Sequence, residues 1–284
     1  MEFDTLIQTQ ELWKHISDPD WVIIDCRFDL ADPAWGFNEY IEIHIPGAIY
    51  AHLDHDLSGP VSEKTGRHPL PDPIAFAQKL AGWGIDQTRQ VVAYDTVGGA
   101  FAARLWWLLR YFGFTRVAVL DGGLGKWIKE NRPTRSGIEK GNALPAAPLL
   151  SIQPELLVTT DEMVKTYQDL SYRIIDARAR ERYLGEVEPI DPIPGRIPGA
   201  LNRFHGDNLQ QDATLKLPHV LKQEFLALLG NIPPQRTIVY CGSGVTSCHH
   251  LLAMETAGLS GARLYLGSWS EWIRDPTRPI VRGV

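Results

Sequence analysis

Cys241 stands at the end of Thr237-Ile238-Val239-Tyr240, whose β-branched residues predict a buried strand, and ahead of a run from Ser247 to Ala257 that predicts a helix. Between them lies Gly242-Ser243-Gly244-Val245-Thr246. Gly242 and Gly244 let the backbone curl with its N–H groups turned inward, and the helix start adds the positive end of its dipole. Such a cradle favours a thiolate, which is a nucleophile at neutral pH without a neighbouring base. The other cysteines lack this setting. Cys26 directly follows a strand and Cys248 falls on the helix, so both are expected to be packing residues. A cysteine in a backbone cradle can also attack phosphate esters, but cysteine phosphatases place an arginine after five intervening residues, and here that position is Ser247. With no Lys or Arg from Gly242 to Thr246, a neutral or singly charged sulfur donor suits the loop better than a phosphate.

The elements that position this loop occur twice. Val22-Ile23-Ile24-Asp25-Cys26-Arg27 returns as Arg173-Ile174-Ile175-Asp176-Ala177-Arg178, and Ile45-Pro46-Gly47-Ala48 as Ile197-Pro198-Gly199-Ala200. Val91-Val92-Ala93-Tyr94-Asp95 returns as the strand ending in Cys241, and Gly125-Lys126-Trp127 as Ser270-Glu271-Trp272. Four matches in one order at nearly constant spacing mark a duplication. Each half alternates β-branched runs with helix-like runs, such as Val91 to Tyr94 followed by Ala100 to Tyr111, which predicts an α/β class with mainly parallel sheets and helices on both faces. Gly137, Gly141, Pro145, Pro148 and Pro154 interrupt any periodicity between the halves. The expected organisation is therefore a first domain over 1–136, a linker over 137–157 and a second, cysteine-bearing domain over 158–284.

The 284 residues, 44% of them apolar, are enough for two domains with separate cores. The 28 basic and 34 acidic residues give a formal charge of −6, and no basic run or helix face would follow a phosphate backbone. Nucleic acid is not an expected partner. No apolar run approaches the roughly 20 residues of a membrane span, and Met1-Glu2-Phe3-Asp4 lacks the pattern of a signal peptide, so a soluble cytoplasmic protein is expected. Three cysteines are too few, and odd in number, for a disulfide framework. Cys241 and Cys248 lack a Cys-x-x-Cys partner, and the adjacent His249 and His250 should leave different helix faces, so no metal site is expected.

These residues resemble the tandem rhodanese-domain sulfurtransferases. Tyr40-Ile41-Glu42-Ile43-His44-Ile45-Pro46-Gly47-Ala48 looks like the amino-terminal signature of that family, and Ala262 to Trp272 like its carboxyl-terminal one, with Leu266 where an acidic or small residue is more usual. The resemblance implies an inactive first domain, in agreement with Asp95 opposite Cys241, and a second domain whose cysteine carries sulfur as a persulfide. Cys241 to Thr246 resembles the active loop of the 3-mercaptopyruvate sulfurtransferases within the family, whereas thiosulfate sulfurtransferases tend to have basic residues after the cysteine. By that resemblance Gly242, Gly244, Val245 and Thr246 surround the substrate, and Arg182 in Glu181-Arg182-Tyr183 matches the arginine that holds it. A second arginine usually follows a Glu-Pro pair. Here Glu188-Pro189 leads into Ile190-Asp191-Pro192, and Arg196 is the candidate replacement. A Ser, His and Asp relay is also implied, with Ser243, His68 in Gly66-Arg67-His68-Pro69-Leu70-Pro71, and Asp56, for which Asp54 competes. Such a relay would set the site between the domains.

The implied reaction is a double displacement from 3-mercaptopyruvate through a Cys241 persulfide to a thiol, cyanide or protein acceptor such as a thioredoxin-like partner. It calls for no metal or organic cofactor. Thiosulfate sulfur transfer, or a non-catalytic module that relays or binds persulfide, are the competing readings.

Overall fold

The computed structural model describes residues 2–283, which form two compact units. In the first, strands β1 (Leu6–Ile7), β2 (Trp21–Asp25), β3 (Ile49–Tyr50), β4 (Gln90–Tyr94) and β5 (Val117–Leu120) make one sheet in the order β1-β5-β4-β2-β3. Every pairing is parallel. The flanking helices are α1 (Thr9–Lys14), α2 (Trp35–Glu42), α3 (Pro73–Trp83), α4 (Ala102–Tyr111) and α5 (Gly123–Lys129). All five residues of β4 are buried, as a central strand covered by helices on both faces requires.

The second unit repeats the plan. Strands β6 (Leu157–Val158), β7 (Arg173–Asp176), β8 (Leu201–Asn202), β9 (Thr237–Tyr240) and β10 (Arg263–Tyr265) form a parallel sheet in the order β6-β10-β9-β7-β8. Helices α6 (Thr160–Thr166), α7 (Arg180–Leu184), α8 (Pro218–Leu229), α9 (Ser247–Thr256) and α10 (Ser268–Trp272) flank it. Its core gathers Ile174, Ile238, Tyr240, Tyr265, Trp269 and Trp272.

The duplicated motifs have the same physical task in each unit. Asp25 and Asp176, at the ends of β2 and β7, form buried ion pairs with Arg27 and Arg178 at 2.7 and 2.6 Å. The arginines reach on to the carbonyls of Ile43 and Gly195, which tie the strand end to the Ile-Pro-Gly-Ala turn. Both turn glycines, Gly47 and Gly199, sit at φ +78°, a backbone region that favours glycine.

Unit membership does not follow the chain strictly. Pro60–Pro69 belongs to the second unit and Gln210–Leu215 to the first. Residues 137–153 carry no helix or strand and lie against the first unit, where Leu144 and Ser151 donate backbone bonds to the carbonyls of Ala81 and Phe112.

Candidate active site

Cys241 follows β9 directly, and α9 begins six residues later at Ser247. Its loop is rooted on the turn before α10: the Cys241 N–H donates to Ser268 Oγ at 3.1 Å, while Trp269 and Ser270 donate to the carbonyls of Cys241 and Gly242. Ser268 is fully buried at φ +53°, an unusual conformation for a residue with a side chain. The carboxyl-terminal signature thus holds the loop. Gly244 is required twice over, because it sits at φ +78° and a Cβ there would meet the Leu266 carbonyl oxygen at 2.4 Å.

The Cys241 thiol is buried, with 2% of the residue exposed. Burial pushes its pKa up, but hydrogen bonds from the Ser247 and Thr246 hydroxyls and from the Ser243 and Ser247 N–H groups outweigh that, and the net shift is downward. Ser247 Oγ lies 3.4 Å from Sγ. Ser247 occupies the position where a phosphatase would carry arginine, and it supplies a neutral donor to the sulfur instead. Helix α9 is buried from Ser247 to Met254, so its amino terminus acts on the loop with little water to screen it. Cys26 is the contrast: burial and the nearby carboxylates of Asp25, Asp95 and Asp56 push its thiol well up. Cys248 is buried with its Sγ against the Gly244 carbonyl at 3.3 Å.

Ser243 and His68 come together, with Oγ and Nδ1 2.7 Å apart. The His68 loop is fixed by its neighbours, since Gly66 and Arg67 donate backbone N–H bonds to Glu271 and to Ser270 Oγ. Val245 is buried and Thr246 half-buried beside Cys241.

Two guanidinium groups stand over the loop. A Cβ built on Gly242 would lie 2.9 Å from Arg67 Nη2 and 3.4 and 3.6 Å from Arg182 Nη2 and Nη1. Arg182 pairs with Glu188 at 2.6 Å and with Asp191 at 3.2 Å, and Arg67 Nη1 pairs with Asp191 from the other side. Burial raises the Asp191 carboxyl despite these cations, whereas Glu188 is held below the usual range, because Arg182 and the N–H groups of Asp191 and Ile190 overcome its burial. The sequence alone does not reveal that Arg67 and Asp191 stand beside the loop, or that Ser247, read there only as the residue at the phosphatase arginine position, donates to the sulfur. The available signal was a lone cation directly before His68.

Arg196 is engaged elsewhere. Its guanidinium packs over the Tyr183 ring at 4.4 Å and Nη1 donates to the Gly283 carbonyl at 2.7 Å. Asp56, in the first unit, accepts the His52 N–H at 2.6 Å and pairs with Lys79.

Asp95 occupies the corresponding position in the first unit. Its carboxylate accepts N–H bonds from Val97, Gly99, Phe101 and Ala102 at 2.8 to 3.0 Å, so its own side chain fills that cradle. Burial pushes its pKa up against the lowering effect of the four bonds.

No group of three or more His, Cys, Asp or Glu side chains suited to a metal ion occurs among the described residues, and no helix among them is long and apolar enough to cross a membrane.

Comparison with known proteins matches the rhodanese-like domain to residues 8–130 and again to 159–275. A Pseudomonas aeruginosa protein named "Probable 3-mercaptopyruvate sulfurtransferase" is 46% identical over 280 residues, covering 98% of each chain. "Thiosulfate/3-mercaptopyruvate sulfurtransferase 2" of Arabidopsis thaliana is 31% identical over 305 residues, covering 98% of this chain and 86% of that one. The crystal structure of SseA from Escherichia coli, described as a 3-mercaptopyruvate sulfotransferase, superposes with a TM-score of 0.78 at 31% identity, covering 95% of this chain and 100% of that one.

Proposed function

Because this chain belongs to the rhodanese-like domain family, which each of its halves matches, we propose that it is an enzyme, a sulfurtransferase that moves sulfur from 3-mercaptopyruvate through a Cys241 persulfide. The observation that carries the reading is Cys241 itself: a buried thiol at the end of β9 with Ser247 Oγ 3.4 Å from its sulfur, where hydroxyl and N–H donors converge and lower its pKa. In the first half-reaction the Cys241 thiolate attacks the donor's sulfur. The new S–S bond forms as the donor's C–S bond breaks, and the electron pair leaves as the enolate of pyruvate. That enolate must gain a proton. Ser243, in contact with His68, is the source, and His68 replenishes the hydroxyl. In the second half-reaction an acceptor thiol or cyanide takes the outer sulfur and the Cys241 thiolate returns.

The inward N–H groups that lower the thiol pKa also stabilise the persulfide anion. Arg182 and the loop Gly242, Gly244, Val245 and Thr246 receive the donor in this reading. Asp56 enters as a relay carboxylate only through its place in the sequence, with Asp54 as its competitor. The first domain acts as a non-catalytic partner, since Asp95 replaces the cysteine. Neither metal nor organic cofactor has a part in the reaction, a thioredoxin-like protein is the class of protein acceptor it suits, and the cytoplasm is its expected compartment.

Thiosulfate is the alternative donor, favoured by the two guanidiniums over Gly242. Glu188 and Asp191 offset that positive charge and so favour a singly charged carboxylate over a dianion. Steady-state turnover with each donor and a common thiol acceptor tests the choice. A higher kcat/KM for 3-mercaptopyruvate supports the reading, and a higher value for thiosulfate replaces it with the alternative.

A further inference from the structure

We infer that Arg67 is the second cation that holds the donor's carboxylate, working beside Arg182, and that Asp191 keeps the two guanidiniums aimed at the Cys241 loop. The inference rests on the reading of that loop as the sulfur-transfer site.

Arg182 alone is a poor clamp for a carboxylate. Its Nε and Nη2 are taken by Glu188, and Nη2 also meets Asp191. Nη1 remains, 3.6 Å from the point a Cβ of Gly242 would occupy. Arg67 contributes the complementary nitrogen. Its Nη1 is paired with Asp191, while Nη2 is uncommitted and stands 2.9 Å from the same point. Two unspent donors from two guanidiniums therefore flank one position above the residue that follows the nucleophile, and a carboxylate seated there can accept one charged N–H bond from each.

The remaining contacts fix Arg67 for this task. Its backbone N–H is tied to Ser270 Oγ, and its neighbour His68 contacts Ser243, so one loop delivers both the cation and the proton-handling histidine. Asp191 lies in the segment after Glu188-Pro189, where a second arginine was expected from the family resemblance. The sign of the charge there is inverted, and the cation arrives from a distant part of the chain instead. Arg196, the replacement suggested by sequence, spends its guanidinium on Tyr183 and Gly283. With Arg67 and Arg182 set against Glu188 and Asp191, the four charges sum to zero. Donor recognition then depends on fork geometry more than on bulk attraction.

The test is steady-state kinetics with 3-mercaptopyruvate and 2-mercaptoethanol for wild type, Arg67→Ala, Arg67→Lys, Arg196→Ala and Asp191→Asn. Arg67→Ala should raise KM about ten-fold or more, the scale of one lost charged hydrogen bond, and Arg67→Lys should recover only part of it. Arg196→Ala should keep KM within about two-fold. Asp191→Asn should shift the kcat/KM ratio toward thiosulfate. A structural fault is separated by loading Cys241 with inorganic polysulfide and following its discharge to 2-mercaptoethanol, which Arg67→Ala should leave within about two-fold. A wild type that turns over 3-mercaptopyruvate while Arg67→Ala keeps its KM, or while Arg196→Ala carries the rise instead, overturns the inference alone. A wild type that takes no sulfur from 3-mercaptopyruvate overturns the functional reading and the inference with it.

Discussion

His68 Nδ1 lies 2.7 Å from Ser243 Oγ, and both residues are only 4% exposed. The pair joins a loop of the first half of the sequence to the residue two places after the nucleophile, and both belong to one compact unit. A hydroxyl held to an imidazole away from bulk water is suited to delivering a proton to a carbon that has just lost sulfur. Ser243→Ala and His68→Ala should each lower kcat for 3-mercaptopyruvate by about 10²–10⁴-fold, the range for general acid–base groups. Thiosulfate leaves as sulfite and needs no such proton, so its turnover should fall much less. Equal losses for the two donors would assign the pair to holding the loop.

A second expectation concerns the thiol. The Ser247 and Thr246 hydroxyls and the Ser243 and Ser247 N–H groups donate to the ionised sulfur, so the lowered pKa moves the onset of reactivity to lower pH. Alkylation of Cys241 by iodoacetamide should rise with a midpoint below that of a free cysteine, and Ser247→Ala should move that midpoint up by removing one donor. A midpoint unchanged in Ser247→Ala would show that the backbone cradle and helix dipole suffice.

The first unit offers a control. Asp95 satisfies four backbone N–H groups, and Asp95→Ala would strip all four of their acceptor, leaving those of the buried Gly99 and Ala102 without partners. Charged hydrogen bonds are worth about 1.5–3 kcal/mol, so the variant should unfold at lower denaturant while folded protein keeps its sulfur-transfer rate. A loss of transfer at full stability would mean that Asp95 has a part in the chemistry.

The sequence was most informative where a physical demand is local. Cys241, its two glycines and the strand before it lie within a few residues, and Asp25 and Arg27 announce their ion pair by a spacing that Asp176 and Arg178 repeat. Arg67 was hidden because its partner Asp191 is 124 residues away. The filling of the Asp95 cradle was equally hidden, since four N–H groups carry no residue code. His249 and His250 show the limit of facial geometry: adjacent on α9, they still bring both Nδ1 atoms within 3.3 Å of Asn208 Nδ2.

In the proposed reaction Cys241 carries the sulfur. Intact mass of the wild type after brief exposure to 3-mercaptopyruvate, followed by removal of the donor, tests it directly. One added sulfur atom is expected in the wild type, in Cys26→Ser and in Cys248→Ser, and none in Cys241→Ser. Sulfur retained by Cys241→Ser, or lost equally in Cys248→Ser, would contradict it.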